Sequence, residues 1–263
     1  LTDITKETRV GKKISTNTAV KAFAVLLPVI IILAWQIALS TGAFDETIVP
    51  SPGSIIQALI AMIQNGTLSE YVLTSCRRVV IGFLIGGGLG FAIGIPLGLN
   101  EKARGLTSVV LGILQPIPPI ALVPIFILWL GIGEISKIAI IAVGSFWSVL
   151  LNTEAGMRAA DPELIELSHV LGKSRKEVLT KIIFPSAIPS IITGIRLGFS
   201  RAWSCVVAAE MIAASSGLGY LIEFARNLSR ADMMFVGVAM IGLIGLLIDL
   251  GMYWLQKKLI YWH

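Results

Sequence analysis

Residues 154–185 read EAGMRAADPELIELSHVLGKSRKEVLTKIIFP. Charged side chains crowd this stretch in a chain that is only 14% charged overall, and apolar runs long enough to cross a bilayer flank it on both sides. Asp161 before Pro162 is a helix start, a capping carboxylate followed by proline at the first helical position. The helix should run through ELIELSHVL and stop at Gly172, in a left-handed cap. Ser174 then opens a second helix, with Glu177 completing a capping box, and that helix should end at Pro185. Leu164, Leu167, Ser168 and Leu171 form an apolar stripe on the first helix. A short helix with an apolar face and a charged rim suits a groove on another protein; the alternative is packing against its own bundle.

The composition around this loop sets the class. The chain is 55% hydrophobic over 263 residues, with mean hydropathy +0.85. A soluble domain carries about 25% charged residues, so the deficit points to an integral membrane protein. Cys76 and Cys205 lie in apolar runs and read as small core residues. His169 and His263 are too few and too far apart for a metal cluster. The first 21 residues hold Lys6, Arg9, Lys12, Lys13 and Lys21. The apolar stretch that follows, 22–40, lacks a small-x-small cleavage site, so it reads as an uncleaved first helix.

Spans of about 20 apolar residues fall near 20–40, 74–99, 106–132, 136–152, 187–212 and 234–256. Six spans put both termini on one side. The tail, the loop with Lys102 and Arg104, the 153–186 loop and the C-terminal Lys257 and Lys258 carry fourteen basic residues, against Lys137, Arg226 and Arg230 opposite. The excess assigns both termini and the 153–186 loop to the cytoplasm of a multi-pass inner-membrane protein. The organisation expected is a basic cytoplasmic tail at 1–21 and a transmembrane domain at 22–263.

Within the spans, four features stand out. After Ser51 or Ser54, apolar residues at 55, 56, 59, 60 and 63 predict a short amphipathic helix on the outer face. Glycines at 82, 86, 90, 94 and 98 form a strip that lets a neighbouring helix approach closely. Pro116, Pro118, Pro119 and Pro124 fall within nine residues and forbid a straight helix. Irregular backbone at membrane depth survives only against protein or a water-filled cavity, so Pro118 and Pro119 are candidates for a translocation pathway, with a structural kink as the alternative. In the fifth span Arg196, Ser200, Trp203, Val207 and Glu210 fall within about 40° of one line. Charges on a membrane helix rarely face lipid. This stripe is either a pathway lining or a set of pairings with a neighbouring helix or subunit.

Gly172-Lys173-Ser174 superficially suggests a phosphate-binding loop. The nucleotide motif needs glycine where Leu167 stands, and a strand before it. The chain therefore carries no nucleotide site of its own.

ELSHVLG followed by IIFP has the spacing of a known motif. The segment resembles the "EAA" motif of ABC-importer membrane subunits: Glu166, a glycine six later at Gly172, and Pro185 thirteen beyond that. Leu167 replaces the first small residue, Ser168 keeps the second, and Phe184 replaces the usual leucine. PIPPIALVPIFILWLGIGEISK at 116–137, FPSAIPSIITGIR at 184–196 and AAEMIAASSGLGYLI at 208–222 resemble the branch importing aliphatic sulfonates, taurine, nitrate or bicarbonate. The likeness runs from about Val49 to the C-terminus. It implies an all-α, six-helix permease in which Glu166, Leu167, Ser168, His169, Leu171, Gly172, Lys173 and Pro185 belong to the segment docked on the ATPase. It also implies a second copy of the chain, two cytoplasmic ATPase subunits holding ATP and Mg, and an extracytoplasmic binding protein. Membrane lipid surrounds such an assembly, and nucleic acid has no part in it. The chain would then be no enzyme and would bind no cofactor itself. Two other readings remain at this point: an ion-coupled carrier using Glu210 or Asp249, and an ABC importer of an uncharged vitamin precursor.

Overall fold

The computed structural model describes residues 18–42, 44, 45 and 48–259. Lys6, Arg9, Lys12 and Lys13 of the expected tail lie outside the described residues, as do the side chain of Lys21 and residue His263. The helices are α1 (Thr18–Ser40), α2 (Pro52–Gln64), α3 (Thr67–Leu99), α4 (Glu101–Leu114), α5 (Val123–Leu130), α6 (Glu134–Arg158), α7 (Pro162–Val170), α8 (Arg175–Val178), α9 (Phe184–Ala213), α10 (Leu218–Asn227) and α11 (Ala231–Leu259). No strand occurs among the described residues. α3, α6, α9 and α11 are each long and apolar enough to cross a membrane, and α4 with the Pro119–Leu130 segment is long and apolar enough as a bent pair, a fifth span when the two are counted as one. α1, of 23 residues, occupies the first expected span and begins inside the expected tail. Several helices overrun the apolar windows. α3 starts at Thr67 and not near 74, and α6 continues to Arg158, because helical hydrogen bonding does not stop where the apolar side chains do.

The glycine strip of α3 packs against α6. A methyl at Gly82 would meet Ile141, one at Gly86 the Ala142 carbonyl, at Gly90 the Phe146 carbonyl, at Gly94 Thr153, and at Gly98 Met157. α6 then packs on α9 through small residues of both helices: a methyl at Gly194 of α9 would meet Asn152, and one at Gly144 of α6 would meet Cys205. Small residues let these backbones approach where lipid offers no hydrophobic drive to hold helices together. Ile141, Val79, Ala202, Val206, Leu218 and Leu221 fill the core between these helices and α10–α11.

The proline-rich segment breaks the third span. α4 ends at Leu114, a 3₁₀ turn covers Pro119–Leu122, and α5 departs at 80°. Val123 and Phe126 seat α5 against Ile140 and Ala209. Ser51 Oγ accepts the Ser54 amide and starts α2. Its buried face is Ala58 and Met62, whereas Ile56, Ile60 and Ile63 are exposed, so the expected apolar set is split between core and surroundings. The second helix of the 154–185 loop does not end at Pro185. α8 passes through a π-helical turn at Leu179–Ile183 into α9, with Pro185 in the first turn of α9. Proline is tolerated in a first turn, and the wider turn accommodates its missing amide donor.

Candidate coupling surface and transport pathway

The loop between α6 and α9 folds as its caps dictate. Asp161 Oδ1 accepts the Glu163 amide at 2.9 Å. Gly172 has φ +68°, and its amide donates to His169 O at 3.0 Å while that of Lys173 reaches Ser168 O. Ser174 and Glu177 form the reciprocal capping box. Glu177 lies in the charged hairpin, ten residues before the expected fifth span at 187–212. The backbone amide of Ser174, then Lys181, then the Ser174 hydroxyl hold its carboxyl down to about 2.

Two faces result. Leu164, Leu167, Ser168, Leu171 and Lys173 line an apolar groove of about 200 Å³ closed by Val178 and Ile182. Ser168 is buried, its hydroxyl donating to Ile165 O, but Leu164, Leu167 and Leu171 remain exposed. Glu166 and His169 lie on the other side of α7, beside Arg104 and Arg158 in a cavity of about 570 Å³ under α3 and α6. Pro185 is half-buried at the start of α9. Of the eight residues expected to act together, six therefore divide between two faces of the hairpin, Gly172 forms its turn, and Pro185 lies beyond it in α9.

The stripe of α9 is spread over several environments. Arg196 forks onto Asp249 of α11 with both bonds at 3.0 Å and reaches Gln256, its guanidinium stacked over Tyr253. Ser200 is half-buried. Trp203 is in the core, its Nε1 donating to Ile241 O at 3.1 Å against Gly245. Glu210 is 1% exposed and accepts from Arg78 Nη1 (2.8 Å), Ser75 Oγ (2.8 and 2.9 Å) and the Gly219 amide (2.9 Å). Arg78 also forks onto Glu134 and donates to Ser216 O, and Lys137 completes the cluster through Glu134. Gly217, at φ +113°, lies so close to the Glu210 carboxylate that no side chain would fit. A buried charge persists only when paired and hydrogen-bonded, and this cluster does both. It ties α3, α6, α9 and α10 together at one end of the bundle.

Pro118 and Pro119 line a different cavity, about 490 Å³, whose other walls are Trp147, Ser148 and Asn152 of α6 and Arg201, Ser204 and Cys205 of α9. Two residues that matter were missed in the sequence. Arg78 sits beside Arg77 at the head of an apolar run, a polar pair that signals a buried partner. Arg201 is a third charge in the fifth span, about 140° round the helix from Arg196 at 100° per residue, and so off the stripe.

An all-α membrane bundle with a broken span and a capped helical hairpin projecting from one end defines a transport subunit that works with a partner. Residues 86–261 match the family described as the inner membrane component of binding-protein-dependent transport systems, and the chain belongs to that family. It is 37% identical over 238 residues to the Bacillus subtilis protein named as an aliphatic sulfonates transport permease, SsuC, covering 90% of this chain and 86% of that one. It is 32% identical over 242 residues to the taurine transport system permease protein TauC of Escherichia coli, covering 90% and 88%. Its fold is similar to a chain of the MetNI methionine ABC transporter in an inward-facing conformation, with TM-score 0.60 at 18% identity, over 72% of this chain and 95% of that one.

Proposed function

We propose that this chain is the permease subunit of an ATP-driven importer for a small anion, an aliphatic sulfonate or taurine first, nitrate or bicarbonate next. It works as a pair of copies with two cytoplasmic ATPase subunits, which hold the ATP and Mg, and an extracytoplasmic binding protein. Both termini and the α7–α8 hairpin face the cytoplasm. The observation that carries this reading is the hairpin itself: Leu164, Leu167 and Leu171 stand exposed around a groove with a charged rim. Exposed apolar area of this kind marks a protein contact. The carboxylates that an ion-coupled carrier would have to protonate, Glu210 and Asp249, are both ion-paired to arginine, which counts against that alternative. The test is co-purification with the ATPase subunit, followed by ATPase stimulation by loaded binding protein in reconstituted vesicles. Isolation of transport-active chain without any ATPase would overturn the reading.

A further inference from the structure

Arg201 lies well inside α9, roughly 26 Å along the helix from Phe184 and roughly 18 Å from Ala213 at 1.5 Å per residue. An arginine at such a depth costs several kcal/mol against lipid and is held by a partner or by water. The other two charges of the helix have their partners, Arg196 with Asp249 and Glu210 with Arg78. Arg201 has neither a hydrogen-bond nor an ion-pair partner among the described residues, and it is exposed. It faces the cavity at the proline break, and no residue lining that cavity is acidic.

The rest of the lining suits an anion. Ser148 and Trp147 bring a hydroxyl and an indole N–H, and Asn152 Nδ2 gives one hydrogen to Ser148 O and keeps another. The opposite wall includes Pro116, Pro118 and Pro119, which have no amide to donate, so specificity for negative charge falls to the α6 and α9 side. At about 490 Å³ the cavity is in the size range of small-molecule sites, enough for an oxyanion with its hydration or a short organic tail. A guanidinium fork matches two oxygens of an oxyanion.

We infer that Arg201, with Ser148 and Asn152, forms an oxyanion-holding subsite within the permease itself, beside the break in the third span. This deepens, and rests on, the reading of the chain as an anion importer.

The experiment uses the full chain in membrane vesicles, with Cys76 and Cys205 replaced by alanine and Ser204→Cys as reporter on the cavity wall. Two thiol reagents of similar size are compared, an ethylsulfonate and an ethyltrimethylammonium methanethiosulfonate. The sulfonate reagent should react faster, and Arg201→Gln should reduce that preference at least about tenfold, the low end of local ion concentration by a charged cleft. Arg201→Lys should retain part of it, and added ethanesulfonate should slow the reaction only where residue 201 is basic. A reporter unreactive to both reagents, or a preference unchanged by Arg201→Gln, overturns the subsite. So does an Arg201→Gln chain that no longer pairs with its second copy, since Arg201 would then be a partner contact. The labelling needs no ATPase or transport, so a positive result with no ATPase co-purifying would sink the importer reading and leave the subsite standing.

Discussion

Arg78 Nη1 donates to Glu210 Oε1 at 2.8 Å although the two residues are 132 positions apart, and both are almost wholly buried. The same guanidinium forks onto Glu134, so a single side chain joins α3, α6 and α9. Removing one partner of a buried pair strands the other charge and costs about 3–5 kcal/mol. Arg78→Ala and Glu210→Ala should each lower the melting temperature of the detergent-purified protein markedly. Glu210→Gln should cost less, because its amide still accepts from Ser75 and Gly219. Arg78→Ala combined with Glu210→Gln should be less damaging than the sum of the two. Strict additivity would show the contact to be energetically idle.

The glycine seam makes a sharper contrast. Gly86→Ala drives a methyl into the Ala142 backbone, which has nowhere to move, whereas Gly88 has nothing near it. Gly86→Ala should destabilise by about 1–3 kcal/mol and Gly88→Ala by less than about 0.5. Thermal unfolding followed by fluorescence on matched samples reads both. Equal effects would mean that the helices separate as easily as they meet.

At the hairpin, Leu167→Asp puts a charge on a side chain that is 54% exposed, so the fold should survive. Co-purified ATPase should fall by about tenfold, equivalent to about 1.4 kcal/mol of docking energy. Gly172→Pro should act differently. It forces φ near −65° on a residue at +68° and removes the amide bonded to His169 O, so it should distort the hairpin and uncouple ATP hydrolysis from transport. Undiminished substrate-stimulated ATPase activity in both variants would refute a docking role.

The basic asymmetry predicts the sidedness of the chain. In a background without Cys76 and Cys205, Lys173→Cys should be labelled by an impermeant thiol reagent only from the cytoplasm, and Gln64→Cys only from outside. Gln64 is exposed at the end of α2 and avoids Gly66, whose φ of +77° would strain a cysteine. Labelling of both from one side would reverse or break the assigned topology.

What the sequence could show was what depends on near neighbours. Asp161, Gly172 and the Ser174–Glu177 box are cap signals within four residues of what they bond, and each forms as read. The glycine strip was legible because every fourth residue shares a helix face. The partner of Glu210 was not, because a helical projection gives the direction of a side chain along its own axis and not which helix waits there. The stripe therefore aligned Arg196 with Glu210, while packing handed one to Asp249 and the other to Arg78 and left Arg201 to the cavity. Proline was over-read at Pro185, where a π turn upstream allows the helix to continue.

The seam between α3 and α6 behaves as a keyed joint. With five glycines of one helix seated against the other along its length, neither can slide or roll without lifting out of register, so the pair travels as a single strut. Changes of shape during a transport cycle must then be taken up elsewhere. α4 has no buried residue, and Leu106, its most open large apolar side chain, is 83% exposed. The broken span has the slack that the strut lacks, and the cavity beside Arg201 lies on the boundary between the two.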